Sequence, residues 1–147
     1  MRVTIVVAET LGPPERQAVR AARLGALLRR AGAELGVADA SLTVRLTGDA
    51  ELAELNAGFR AVAEATDVLA FPADEIDYVG DIAISVERAL AQAPGNGVDE
   101  LRLLAVHGLL HCLGHDHAEP DEAARMTTAT RGLLPDQDVP ALVPTDA

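Results

Sequence analysis

Eleven residues, His107-Gly108-Leu109-Leu110-His111-Cys112-Leu113-Gly114-His115-Asp116-His117, hold all four histidines of the chain. They constrain the fold more than any other stretch. His107 and His111 are four apart, so on a helix they lie one turn apart on one face, about 6 Å along the axis. That spacing lets two imidazoles reach one ion. Gly114 follows, and a glycine just past a helix end can take the left-handed conformation that turns the chain back. A reversed chain brings His117 under the helix as a third ligand. The pattern His-x3-His-x2-Gly-x2-His is the ligand spacing of a large class of zinc hydrolases, with three histidines and one open coordination position. A lone histidine on an apolar helix is usually a core residue; three at this spacing, with the glycine in place, read as a metal site.

The remaining residues of the stretch are weighed against that site. His115 does not fit the spacing and reads as a surface residue or a partner of the ligands. Asp116 is either a turn residue or a hydrogen-bond partner of a liganding imidazole. Cys112 points about 100° around the helix from His111, so it reads as a small buried apolar residue. In the protease version of the motif a glutamate follows the first histidine and acts as general base. Here that position is Gly108. A metal site without that base still polarises a substrate oxygen or lowers the pKa of bound water, but proton transfer and charge stabilisation must come from elsewhere in the chain.

A chain of 147 residues, 49% apolar, suits one globular domain with a real core over residues 1–147. Its aromatics are Phe59, Phe71 and Tyr78, so the core must be aliphatic. The opening MRVTIVVAET reads as a strand and not a secretory signal, and no apolar run reaches membrane-spanning length. A single cysteine excludes an internal disulfide and fits a reducing cytosol, so a cytoplasmic location is expected. The net charge is −11, and it is uneven. Residues 1–73 carry eight Arg against nine acids, while residues 74–147 carry four Arg against fourteen. DNA is not an expected partner, and RNA would need a local basic patch. Arg16, Arg20 and Arg23 share a helical spacing, with Arg29 and Arg30 further along; they form either such a patch or a solvated face.

Periodicity and breakers place the elements. Strands are expected at 2–8, 42–46, 66–71 (stopped by Pro72) and 79–85, with an acidic loop over 73–78. Helices are expected at about 15–35, 50–60 (capped by Asp49), 86–93, 97–113 and 121–134, the last opened by Pro120. The segment 103–113 is apolar almost all round and should be buried. Residues 135–147, rich in Pro and Asp, read as a loose tail. The expected fold is therefore α+β: a mixed sheet of about four strands with about five helices, and a zincin-like metal helix packed on the sheet.

HGLLHCLGHDH resembles the signature of the YbeY family, bacterial metal-dependent endoribonucleases of ribosomal RNA maturation. Two upstream regions are similar to family motifs in the same order: LNAGFR at 55–60, then the strand motifs TDVLAFP at 66–72 and GDIAIS at 80–85. The resemblance covers about residues 40–134. It implies a hydrolase of phosphodiester bonds that cuts single-stranded rRNA in maturation of the 16S rRNA 3′ end and in ribosome quality control. It implies one Zn2+ per chain on His107, His111 and His117, a catalytic Arg60, and ribosomal particles or ribosome-associated proteins as partners. A guanidinium there would position a phosphate or stabilise its developing charge. Asp67 and Asp81 lie in matched motifs and either contact substrate or brace loops. Ala70 stands where the family often has serine, residues 61–65 lack its polar and basic residues, and Thr130-Arg131 replaces its Gln-Glu pair. Two other readings stay open: a zinc metallopeptidase or other metal-dependent hydrolase, and a non-catalytic ribosome-associated factor with a structural zinc.

Overall fold

The structure, a computed structural model, describes residues 1–60 and 67–144, with the backbone alone at Phe59 and Arg60. Four strands, β1 (Arg2–Val7), β2 (Ser41–Thr47), β3 (Val68–Glu75) and β4 (Tyr78–Ser85), form one sheet in the order β1-β2-β4-β3. β1, β2 and β4 run parallel and β3 is antiparallel to β4, so the sheet is mixed, as expected. β3 continues through Pro72 to Glu75, into the segment expected to be an acidic loop. Pro72 ends no strand here because β3 is the edge strand, where a missing N–H costs no ladder bond on the open side.

The helices are α1 (Pro13–Ala22), α2 (Leu24–Glu34), α3 (Asp49–Arg60), α4 (Val86–Gln92), α5 (Gly97–Cys112) and α6 (Pro120–Leu133). The single helix expected over 15–35 is two, broken at Arg23, which takes left-handed φ 50°, ψ 50°. A left-handed non-glycine residue costs roughly 1–2 kcal/mol. The break lets Ala18 and Ala22 on one helix, and Leu24, Leu27, Leu28 and Ala31 on the other, enter one core. Arg102 reaches back from α5 to donate to the Ala22 carbonyl that the break exposes (2.8 Å). The break interrupts the helical spacing of Arg16, Arg20 and Arg23. Arg23 sits at the break, and the Arg16 guanidinium donates to the carbonyls of Leu11, Ala8 and Glu9.

Asp49 is the first residue of α3 and not its cap. Its backbone N–H donates to Glu87 Oε1 (2.7 Å), while its carboxylate accepts from Ser85 Oγ and the Arg88 guanidinium. This ties the start of α3 to the end of β4.

α5 lies across one face of the sheet with Leu101, Leu104, Ala105, Val106, Leu109 and Leu110 buried. Gly108 permits the approach: a Cβ there would stand 2.7 Å from Ile82 Cγ2 on β4. Residues 135–142 are pinned, not loose. Gln137 donates to the Asp99 carbonyl and accepts from Arg102, Arg131 donates to the Val139 carbonyl, and Leu142 N–H donates to Thr127 Oγ1. Val139 is buried. This strap ties α6 to α5. Residues 145–147 lie outside the described residues.

Candidate metal centre

α5 carries His107 and His111 one turn apart, with Nε2 atoms 3.0 Å from each other. The helix then ends in a Schellman motif. Gly114, at φ 98°, donates its N–H to the His111 carbonyl (3.1 Å), and His115 N–H donates to the Leu110 carbonyl (2.9 Å). The chain reverses and sets the His117 ring 5.3 Å, centroid to centroid, from both helical imidazoles. One ligand atom from each of the three rings falls within 4.8 Å of the others.

The hydrogen bonding turns ring nitrogens of this cluster toward one another. A carbonyl only accepts, so the His111 Nδ1–H donates to the His115 carbonyl (2.9 Å), and the lone pair of His111 lies on Nε2. That lone pair faces His107 Nε2, so a proton or a shared cation must lie between them. His117 Nδ1 is buried with no partner among the described residues. Burial, and then the neighbouring His111 and His117, push the His107 imidazole down to about 4, which keeps it neutral near pH 7. Three imidazoles converging on one point are the donor set of a catalytic zinc site, and the cluster can bind a metal ion.

The cluster opens on a cleft of about 680 Å³. One wall is α5 with the turn from Gly114 to His117, and the other is the edge strand, through Val68, Ala70 and Pro72. Asp67 also lines it.

A family model described as Endoribonuclease YbeY matches residues 15–137. The chain belongs to that family. A curated YbeY endoribonuclease of Chloroflexus aurantiacus is 46% identical over 106 residues, 62% of this chain and 69% of that protein. One of Thermus thermophilus is 44% identical over 108 residues, 65% of this chain and 78% of that protein. The solution structure of a Thermotoga maritima protein superposes with a TM-score of 0.57 at 23% identity, covering 91% of this chain and 90% of the other; it bears on the fold alone.

The YbeY motifs divide between two faces of the sheet. Val68, Ala70 and Pro72 face the cleft, whereas Leu69 joins Leu52 and Ala83 in a small cluster on the other face, with Phe71 and Leu55 beside it. Asp81 lines a groove with Phe71, Ala83 and Leu55 on that second face, and its carboxylate accepts from the Tyr78 hydroxyl. It is therefore held away from the histidines, because alternate residues of a strand point to opposite faces. Asp116 Oδ1 accepts the His117 N–H (2.8 Å), so it shapes the turn. His115 serves through its backbone: its carbonyl orients His111. Cys112 Sγ lies 3.9 Å from the Asp81 carbonyl, and burial pushes its thiol up to about 11. The Arg60 side chain lies outside the described residues.

Sequence reasoning overlooked the other end of the cleft. Gln92 Nε2 on α4 donates to both Asp67 Oδ2 (3.2 Å) and Glu100 Oε2 (3.0 Å). Glu100 stands in the first turn of α5, where any acid suits the positive helix end. No local pattern signals that it meets Asp67, a residue before β3, through a side chain of α4.

Proposed function

We propose that this chain is a zinc-dependent endoribonuclease that cuts single-stranded rRNA during maturation of the 16S rRNA 3′ end, working on ribosomal particles in the cytoplasm. The observation that carries the reading is the convergence of His107, His111 and His117, two of them facing with Nε2 atoms 3.0 Å apart, on an open cleft in a YbeY-family fold. One Zn2+ held by these three residues would supply Lewis acidity toward a phosphate oxygen and an acidified water.

The chain's own groups prepare that chemistry. The His115 carbonyl holds the His111 ring in the tautomer whose Nε2 carries the lone pair. Burial keeps His107 unprotonated. The edge strand and α5 wall an open groove, which suits an extended strand. Arg60, at the end of α3 in a motif similar to the family's, is the residue we place on the phosphate, where a planar guanidinium grips two oxygens at once.

Two observations weigh against the other readings. The position after His107 has no room for the glutamate base of metallopeptidases, since even a Cβ at Gly108 collides with Ile82. A structural zinc is normally closed by four protein ligands, whereas this cluster, among the described residues, has three and opens on a cleft. Metal analysis of the purified protein, paired with RNA and peptide cleavage assays, tests the proposal. About one zinc per chain, single-stranded RNA cut and peptide untouched is the expected result. Peptide cleavage with RNA intact would move the chain to the peptidase class.

A further inference from the structure

A second cavity, of about 240 Å³, adjoins the metal cleft and shares Asp67, Val68 and His107 with it. Its flanks are aliphatic: Val68, Leu103, Leu104 and, from the strap, Val139 and Leu142. Two threonines also line it, but both hydroxyls donate to their own helix, Thr127 to the Ala123 carbonyl and Thr130 to the Met126 carbonyl. The polar side chains left to meet a guest are Asp67 and Glu100, with His107 at the junction. Each carboxylate commits one oxygen to Gln92; Asp67 Oδ1 and Glu100 Oε1 accept no hydrogen bond among the described residues. Burial, and then the charge of Asp67, push the Glu100 carboxyl up, so donors arriving there would stabilise its ionised form.

An apolar slot that ends in acceptors and opens beside the reacting centre is built for a splayed-out base. Single-stranded RNA is read in this way, through unstacked bases bonded on their Watson–Crick edges. Carboxylate oxygens only accept. They are matched by an edge with two adjacent donors, and guanine has one, N1–H beside the 2-amino group. Adenine and cytosine each place an acceptor next to their single amino group, which would face a carboxylate oxygen. Resting on the RNA-cutting reading above, we infer that this cavity is a guanine subsite: Glu100 and Asp67 read the base of a nucleotide adjacent to the cut, and the strap forms the far wall.

The test takes metal-replete full-length protein and single-stranded RNA oligonucleotides varied one nucleotide at a time around a mapped cut. Inosine replaces guanosine, which removes the 2-amino group alone. At one fixed position near the cut, guanosine should be favoured over inosine on the order of tenfold. Glu100→Gln, and separately Asp67→Asn, should bring that ratio close to one while metal content stays unchanged. No discrimination at any position, or wild-type discrimination in both variants, overturns the subsite; the wild-type comparison decides alone should neither variant fold. A binding arm separates this from failure of the function itself. Calorimetry with guanosine and inosine monophosphates should show the former bound more tightly, and the difference lost in Glu100→Gln. If no RNA is cut but that difference holds, the subsite stands and the nuclease reading falls. If RNA is cut and the two nucleotides bind alike, the nuclease reading stands and the subsite falls.

Discussion

The two faces of the sheet are built to different depths. On one, α1, α2, α4 and α5 bury Leu42, Val44, Leu46, Ile82 and Ile84 in a continuous core that reaches the strap. On the other, three buried residues, Leu52, Leu69 and Ala83, make a separate cluster flanked by Leu55 and Phe71. Val6 is exposed there, and the Arg45–Glu51 pair lies at the surface. The deep face carries the histidines. The thin face carries the cluster under α3, the helix that ends at Arg60. A metal site demands imidazoles held to tenths of an ångström, and a close-packed core transmits that order to α5. The phosphate-gripping role proposed for Arg60 would work through a long side chain and would tolerate a lighter support.

The largest expected effect strikes the deep face directly. His111→Ala should abolish metal binding, since two ligands rarely hold a tetrahedral ion, and RNA cleavage should go with it. His115→Ala should keep most of the metal, because its contribution is a backbone carbonyl. Metal loss in the His115 variant with retention in a His117 variant would reverse the ligand assignment.

Arg60→Lys separates the two faces in function. It should leave fold and metal content as they are and lower RNA cleavage at least about tenfold, because an ammonium keeps the charge but not the bidentate fork. Undiminished cleavage in Arg60→Ala would remove that residue from the mechanism.

Paired truncations measure the difference in depth. Leu101→Ala on α5 should cost about 4 kcal/mol and Leu52→Ala on α3 about 2, since both side chains are fully buried but the smaller cluster collapses more easily around a void. Denaturant unfolding reads both, and equal losses would show that the thin face is packed as rigidly as the deep one.

Acid should weaken the deep face by a smaller step, read on metal-free protein. His107 titrates at about 4 in the fold against 6.5 when exposed. Between those values the unfolded chain holds more protons, so stability is present above pH 6.5 and declines as pH falls toward 4. The total is on the order of 3 kcal/mol at most. A flat profile in His107→Gln would assign the decline to this residue; the same slope in the variant would assign it elsewhere.

The histidine cluster was legible in the sequence because its geometry is local. The helical repeat puts His107 above His111, and Gly114 with two backbone hydrogen bonds returns His117, all within eleven residues. The four strands were legible for the same reason, as alternation and β-branching act over a few positions. What stayed hidden depends on contacts between distant segments. Arg23 breaks a run of good helix formers because two apolar faces must enter one core. Pro72 stays inside a strand because that strand falls at the sheet's edge. Residues 135–142 look loose by composition, yet bonds to Asp99, Arg102 and Thr127 pin them. Asp67, Gln92 and Glu100 meet only once β3, α4 and α5 have packed, and Asp81 was placed on the far face by the pairing of β4. Local sequence determined which residues can hold a metal. Tertiary packing decided which carboxylates stand beside it, because their positions depend on how strands and helices pair across the whole chain.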